Sequence, residues 1–228
     1  MIISHKHKFI FLKTCKTAGT SVEFALRSLC GPDDIIAPIG DEEGIKMGLP
    51  QQNYTSSPQF PSRDWLYWFR SRLMRKSAPK DFYNHIPGWR VRARVGEDVW
   101  NDYFKFCFER NPWDREVSFY FFRHGRSGYA DNFADHLKLL KRKKLRNWEI
   151  YTDYDKPLVD FVGRYENLES DLKLALQKCG IDWTGELPRA KAKFRADKRP
   201  YRELYDDRSR ELVARTYRRE IEYFGYEF

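Results

Sequence analysis

Lys13 and Lys16 flank a hydroxyl-rich turn, Lys13-Thr14-Cys15-Lys16-Thr17-Ala18-Gly19-Thr20-Ser21, near the start of a chain of 228 residues. Cations and small hydroxyl residues around one glycine suit anion binding, because ammonium and backbone N–H groups converge where no bulky side chain intervenes. The apolar run Phe9-Ile10-Phe11-Leu12 precedes the turn, and Val22, Ala25, Leu26 and Leu29 recur at helical spacing after it. A buried strand thus delivers the turn to a helix N-terminus, whose unpaired N–H groups and dipole attract negative charge. Thr20 and Glu23 form a capping-box pattern, and Gly31 falls where a left-handed C-terminal cap is expected. The lysine precedes the glycine by three positions, so the nucleotide loop G-x-x-x-x-G-K-[ST] is absent and an ordinary ATP or GTP site is disfavoured.

A second strand, turn and helix follow in Phe104-Lys105-Phe106-Cys107-Phe108-Glu109-Arg110-Asn111-Pro112-Trp113-Asp114-Arg115-Glu116-Val117-Ser118-Phe119-Tyr120. Asn111 suits an N-cap and Pro112 the first helical position, which places Arg110 at the carboxyl end of a strand, on the same edge as the first turn. Ser118 comes about two helical turns after Asn111 and can face the same side. A third unit runs from Val159 through Tyr165, with Leu168, Leu172, Ala175, Leu176 and Cys179 at helical spacing.

In this order the segments resemble the sulfotransferases that use 3′-phosphoadenosine 5′-phosphosulfate. Lys16-Thr17-Ala18-Gly19-Thr20-Ser21 is similar to that family's 5′-phosphosulfate loop, and the run from Arg110 to Tyr120 to its 3′-phosphate motif, R-N-P-W-D-R-x-V-S-x-Y. Tyr165-Glu166-Asn167-Leu168 resembles its Y-E-[ND]-L segment, and the tail from Tyr201 to Phe228 the C-terminal helix of the bacterial and carbohydrate branch. The resemblance covers roughly residues 8–30 and 80–228. It implies an α/β, P-loop-like three-layer fold with a central parallel sheet flanked by helices. It also implies that Lys16, Thr17, Ala18, Gly19, Thr20 and Ser21 meet the 5′ side of the donor, where Lys13 adds positive charge, that Arg110 and Ser118 hold its 3′-phosphate, and that Tyr165 lies near the adenine. A basic loop before the C-terminal helix offers Lys193, Arg195, Lys198, Arg199 and Arg202, of which Lys198 and Arg199 are assigned to the donor. Adenosine 3′,5′-bisphosphate is the implied product.

Sulfuryl transfer moves a small anionic group in line between two oxygens, so positioning and charge stabilisation dominate. A lysine can neutralise the leaving phosphate without a metal. Lys16 is assigned that role, with Lys13 in support. A neutral hydroxyl acceptor needs a base, and histidine titrates in the useful range. His5 and His7 precede the first strand, and His136 lies in a basic helix. His124 follows the Arg110 helix and is the rival to His85, which in Asn84-His85-Ile86-Pro87-Gly88 occupies the place of the H-x-P segment often found in this branch. His85 is the assigned base.

Hydrophobic residues make up 41% and aromatics 17%, enough for a sizeable core, and residues 1–228 are expected to form one domain with an irregular insertion at about 32–80. No run approaches 18 apolar residues, so the expectation is a soluble, cytoplasmic protein. Cys15, Cys30, Cys107 and Cys179 show no metal-binding spacing and are expected to be reduced; two lysines beside the Cys15 thiol can lower its pKa and open it to alkylation, although sulfuryl transfer needs no covalent cysteine. The net charge of +9 suits nucleic acid, yet a donor with about four negative charges and acidic glycan acceptors call for the same basic cleft. The rivals are a nucleotide-dependent kinase and a non-enzymatic basic module binding nucleic acid or anionic glycan. The aromatic, basic stretch Trp65 to Lys76 suits core packing, stacking on a saccharide or glycolipid acceptor, or peripheral contact with a membrane.

Overall fold

The computed structural model describes residues 1–39, 51–55, 81–127, 130, 132–140, 144–187, 197 and 199–228. Most of the expected insertion, including Trp65 to Lys76, lies outside the described residues, as do Lys193, Arg195 and Lys198.

Short apolar runs form a five-stranded sheet from β1 (Ile2–Ser4), β2 (Phe9–Phe11), β3 (Ile35–Ile36), β4 (Phe104–Glu109) and β7 (Phe161–Arg164), in the order β3-β1-β2-β4-β7. β2, β4 and β7 are parallel, as expected of the three strand-and-helix units. The sheet is not parallel throughout. The first residues add β1 as a hairpin partner of β2, with Ile2 opposite Phe11, and β3 extends the sheet antiparallel to β1. The tight turn between β1 and β2 is closed by Lys8 in a left-handed conformation, φ 52°. A two-stranded hairpin, β5 (Thr152–Asp153) and β6 (Lys156–Pro157), stands apart.

Alternation along the strands builds a layer on each face. Phe9, Phe11, Phe106 and Phe108 pack with Val22, Ala25 and Leu26 of α1 (Gly19–Arg27) and with Leu172, Ala175 and Leu176 of α7 (Leu168–Lys178). Ile10, Leu12 and Cys107 face the other way. They meet Val91 of α2 (Gly88–Val95), Trp100 of α3 (Glu97–Asp102) and Trp148, Ile150 and Tyr151 of α6 (Trp148–Tyr151). Full burial of each large apolar side chain contributes about 1.5–3 kcal/mol. A third cluster joins Trp113, Val117 and Tyr120 of α4 (Pro112–Ser127) to Phe133 and Leu137 of α5 (Phe133–Lys138) and to Val213 of α8 (Asp207–Thr216).

Three local expectations are corrected. The capping box at Thr20 and Glu23 does not form: α1 starts at Gly19, its N-cap Ala18 offers no side-chain bond, and the Glu23 carboxylate is taken by Lys13 and the Met1 ammonium. Gly31 is not left-handed, because the helix has already ended at Arg27 with Ser28 in a right-handed conformation. The C-terminal helix is two helices, α8 and α9 (Arg218–Phe224), broken at Tyr217. Among the described residues no helix is long and apolar enough to cross a membrane.

Candidate active site

The register of the sheet places the two basic turns side by side. Phe11 of β2 pairs with Phe106 of β4, and Leu12 extends the pairing by donating its N–H to the Phe106 carbonyl at 2.9 Å. The chain then leaves the sheet and turns through Lys16 and Ala18, both left-handed with φ 63° and 57°. Non-glycine residues held in this way cost on the order of 1–3 kcal/mol each and make successive N–H groups converge. The N–H groups of Ala18, Gly19 and Thr20 donate to nothing among the described residues, whereas Ser21 already donates to the Ala18 carbonyl at 2.8 Å. Thr14 braces the turn from below, with its hydroxyl 2.8 Å from that of Thr17 and bonded to the Phe108 carbonyl of β4.

Lys13 lies beneath the turn. Its ammonium meets Glu23 at 2.6 Å, both groups being buried. Burial alone would raise the Glu23 pKa, but the Met1 ammonium and Lys13 hold it at about 2. A Cβ on Gly19 would come within 2.8 Å of Lys13 Cγ, so this glycine lets the lysine pass under the helix start. Lys16 is half-buried, with Nζ 4.0 Å from the centroid of Phe122 in α4.

The second turn is built from side chains. Glu109 at the end of β4 pairs with Arg164 of β7, so the residues that follow, Arg110 and Tyr165, leave adjacent strands together. The Arg110 guanidinium lies 3.8 Å from the Tyr165 ring centroid. It donates to Asp114 Oδ2 at 2.9 and 2.7 Å and to the Lys16 carbonyl at 3.2 Å. One side chain therefore touches both turns. Asn111 Oδ1 caps α4 by accepting the Trp113 N–H at 3.1 Å, as its position before Pro112 suggests. Ser118 is half-buried, and its hydroxyl makes no hydrogen bond among the described residues. Phe122, one helical turn later on the same face, lies under Lys16, so this face of α4 is turned to the first turn. Arg199 is exposed and forked onto Asp197 at 2.7–3.1 Å.

Two histidines are candidates for the base. The structure brings His85 to the first turn, with Nδ1 3.0 Å from the Lys13 carbonyl. A carbonyl only accepts, so Nδ1 carries the hydrogen and Nε2 keeps a lone pair. Burial and the nearby Lys13 charge lower its pKa to about 4, which keeps the ring neutral near pH 7. His124 is exposed and points its Nδ1 at the Ala130 carbonyl, 2.8 Å away. Two residues beyond Phe122, it lies about 200° around the helix and so on the far face of α4.

Residues 1–227 match the sequence model of the sulfotransferase family. The chain belongs to this family. Its fold is similar to that of mouse sulfotransferase SULT7A1 complexed with PAP, with a TM-score of 0.50 over 96% of this chain and 86% of that one, at 13% identity. It is also 37% identical over 100 residues to an uncharacterized protein of Archaeoglobus fulgidus, covering 42% of this chain and 83% of that protein. The protein is therefore an enzyme of sulfuryl transfer, and the kinase and non-enzymatic alternatives fall away.

Two features of this sulfotransferase escape its motifs. Burial, outweighing Lys13 and Lys16, raises the Cys15 thiol to about 11, which corrects the expectation of a lowered, reactive thiol. Asn147, fully buried, bonds to Cys15 from 132 positions away and joins a core centred on Glu109. An isolated asparagine carries no spacing or periodicity that would mark it.

Proposed function

We propose that the sulfotransferase transfers the sulfuryl group of 3′-phosphoadenosine 5′-phosphosulfate to a hydroxyl of a saccharide or glycolipid. The observation that carries the donor reading is the contact of Arg110 with the Lys16 carbonyl at 3.2 Å, which unites a backbone anion cradle with a guanidinium at one sheet edge. In this reading the 5′-phosphate meets Lys16 and the N–H groups of Ala18, Gly19 and Thr20. Arg110 and Ser118 take the 3′-phosphate, which ATP lacks, and Tyr165 borders the adenine while fixing the guanidinium. Lys198, by resemblance alone, and Arg199 are assigned to the 3′ side, Arg199 by exchanging Asp197 for phosphate.

His85 Nε2 accepts the acceptor's hydroxyl proton as that oxygen bonds to sulfur. The bond from sulfur to the bridging oxygen of the 5′-phosphate breaks, and the charge left on the bisphosphate falls to Lys16 and the turn's N–H groups. Lys13 acts on this step by holding the turn through Glu23. The saccharide assignment is supported by the likeness of the motifs to the carbohydrate branch and by the aromatic, basic composition of Trp65 to Lys76, the stretch also proposed for membrane contact.

The test is transfer from sulfur-labelled donor to matched panels of oligosaccharides, glycolipids, phenols and lipid alcohols, with EDTA present. Labelled sugars are expected. Labelling of phenols alone would overturn the acceptor, and a strict metal requirement would overturn the mechanism.

A further inference from the structure

We propose that Asn147 is a positioning residue that sets the spacing between the two phosphate-binding turns; the proposal rests on the donor reading above. Its buried amide makes three hydrogen bonds that reach both turns. Oδ1 accepts the Cys15 N–H at 2.7 Å, and Nδ2 donates to the Cys15 carbonyl at 3.0 Å and to Glu109 Oε1 at 3.1 Å. Cys15 immediately precedes Lys16, and Glu109 immediately precedes Arg110. The amide satisfies both polar groups of the Cys15 residue, as a neighbouring strand would, where the chain has already left the sheet.

The other end of the clamp is equally fixed. Glu109 Oε1 accepts the Arg110 N–H at 2.9 Å and Arg115 Nη1 at 2.6 Å, and Oε2 accepts the Tyr151 hydroxyl at 3.2 Å. Tyr151 lies one helical turn beyond Asn147, so α6 and the residue before it hold both carboxylate oxygens. Charge-assisted bonds to a fully buried carboxylate are strong, and each partner is costly to lose. The direct link from Arg110 to the Lys16 carbonyl uses a side chain that must also serve the ligand. Asn147 ties the Cys15 backbone to the Glu109 carboxylate, which in turn accepts the Arg110 N–H, independently of it.

The consequence is selective. A ligand with phosphates in both turns gains from fixed spacing as a linked pair of binders gains from effective concentration, whereas a ligand with one phosphate does not. Titrating the parent and Asn147→Leu with adenosine 3′,5′-bisphosphate, adenosine 5′-phosphate and adenosine 3′-phosphate tests this. The variant is expected to bind the bisphosphate at least ~10-fold more weakly, with each monophosphate changed less than ~3-fold. Equal losses for all three ligands, or no loss, would overturn the role of Asn147 while the parent's preference for the bisphosphate keeps the donor reading. A parent without that preference would overturn both. If Asn147→Leu does not fold, amide exchange in the ligand-free parent decides: a Cys15 N–H as protected as the β2 amides is expected, and fast exchange overturns the clamp.

Discussion

The two turns proposed to bind the donor's phosphates have the same plan and opposite chemistry. Each is a strand, a short turn and a helix at the carboxyl edge of one sheet. The first leaves its helix uncapped, with Ala18 at the N-cap and three N–H groups unengaged among the described residues, so the backbone offers the donors. The second caps its helix with Asn111, and the groups it offers are the Arg110 guanidinium and the Ser118 hydroxyl. A backbone cradle accepts any phosphate with the right approach. Side chains at a fixed site choose one, which is why the second turn is expected to supply donor specificity and the first the transition-state charge.

The division breaks most visibly at His85, bonded to the first turn only. His85→Ala is expected to lower kcat by about 10²–10⁴-fold while leaving affinity for adenosine 3′,5′-bisphosphate unchanged. If His124→Ala does this instead, the base belongs to the far face of α4. Next in size, Arg110→Ala removes charge-assisted bonds of about 1.5–3 kcal/mol and should weaken bisphosphate binding by about 10- to 150-fold in calorimetry, with adenosine 5′-phosphate little changed. Lys16→Ala sharpens the contrast: a fall in kcat several-fold larger than the loss of product affinity is expected if its charge acts on the leaving group. An equal fall would return it to simple binding.

The pH dependence is a smaller effect with a definite sign. His85 has a folded pKa of about 4, below its ordinary 6.5, so the unfolded chain takes up a proton first on acidification. Its contribution to stability is therefore complete above about pH 6.5 and is lost as pH falls to about 4. The acid limb of kcat/KM should likewise fall near 4, and a limb near 6.5 would contradict the neutral, buried ring. The smallest effect is at Cys15, whose raised pKa predicts that brief treatment with iodoacetamide at pH 7.5 leaves activity essentially intact.

What could be read in the sequence was local. Asn111 before Pro112 fixes a helix start within a few residues, and the strand-turn-helix units at Lys13, Arg110 and Tyr165 follow from runs and spacings of the same length. What could not be read was the choice of partner across the fold. Glu23 fits a capping box in the sequence, but folding places it against Lys13 and the Met1 ammonium, and that buried ion pairing wins. Two neighbouring lysines suggest an activated Cys15, yet desolvation depends on what covers the thiol. The antiparallel β1 and the reach of Asn147 to Cys15 are likewise pairings of the folded chain.

The most direct measurement of the division between the turns is a crystal structure with adenosine 3′,5′-bisphosphate bound. The 5′-phosphate is expected on the N–H groups of Ala18, Gly19 and Thr20 beside Lys16, and the 3′-phosphate on Arg110 and Ser118. A 3′-phosphate held elsewhere, with Arg110 still paired to Asp114, would contradict it.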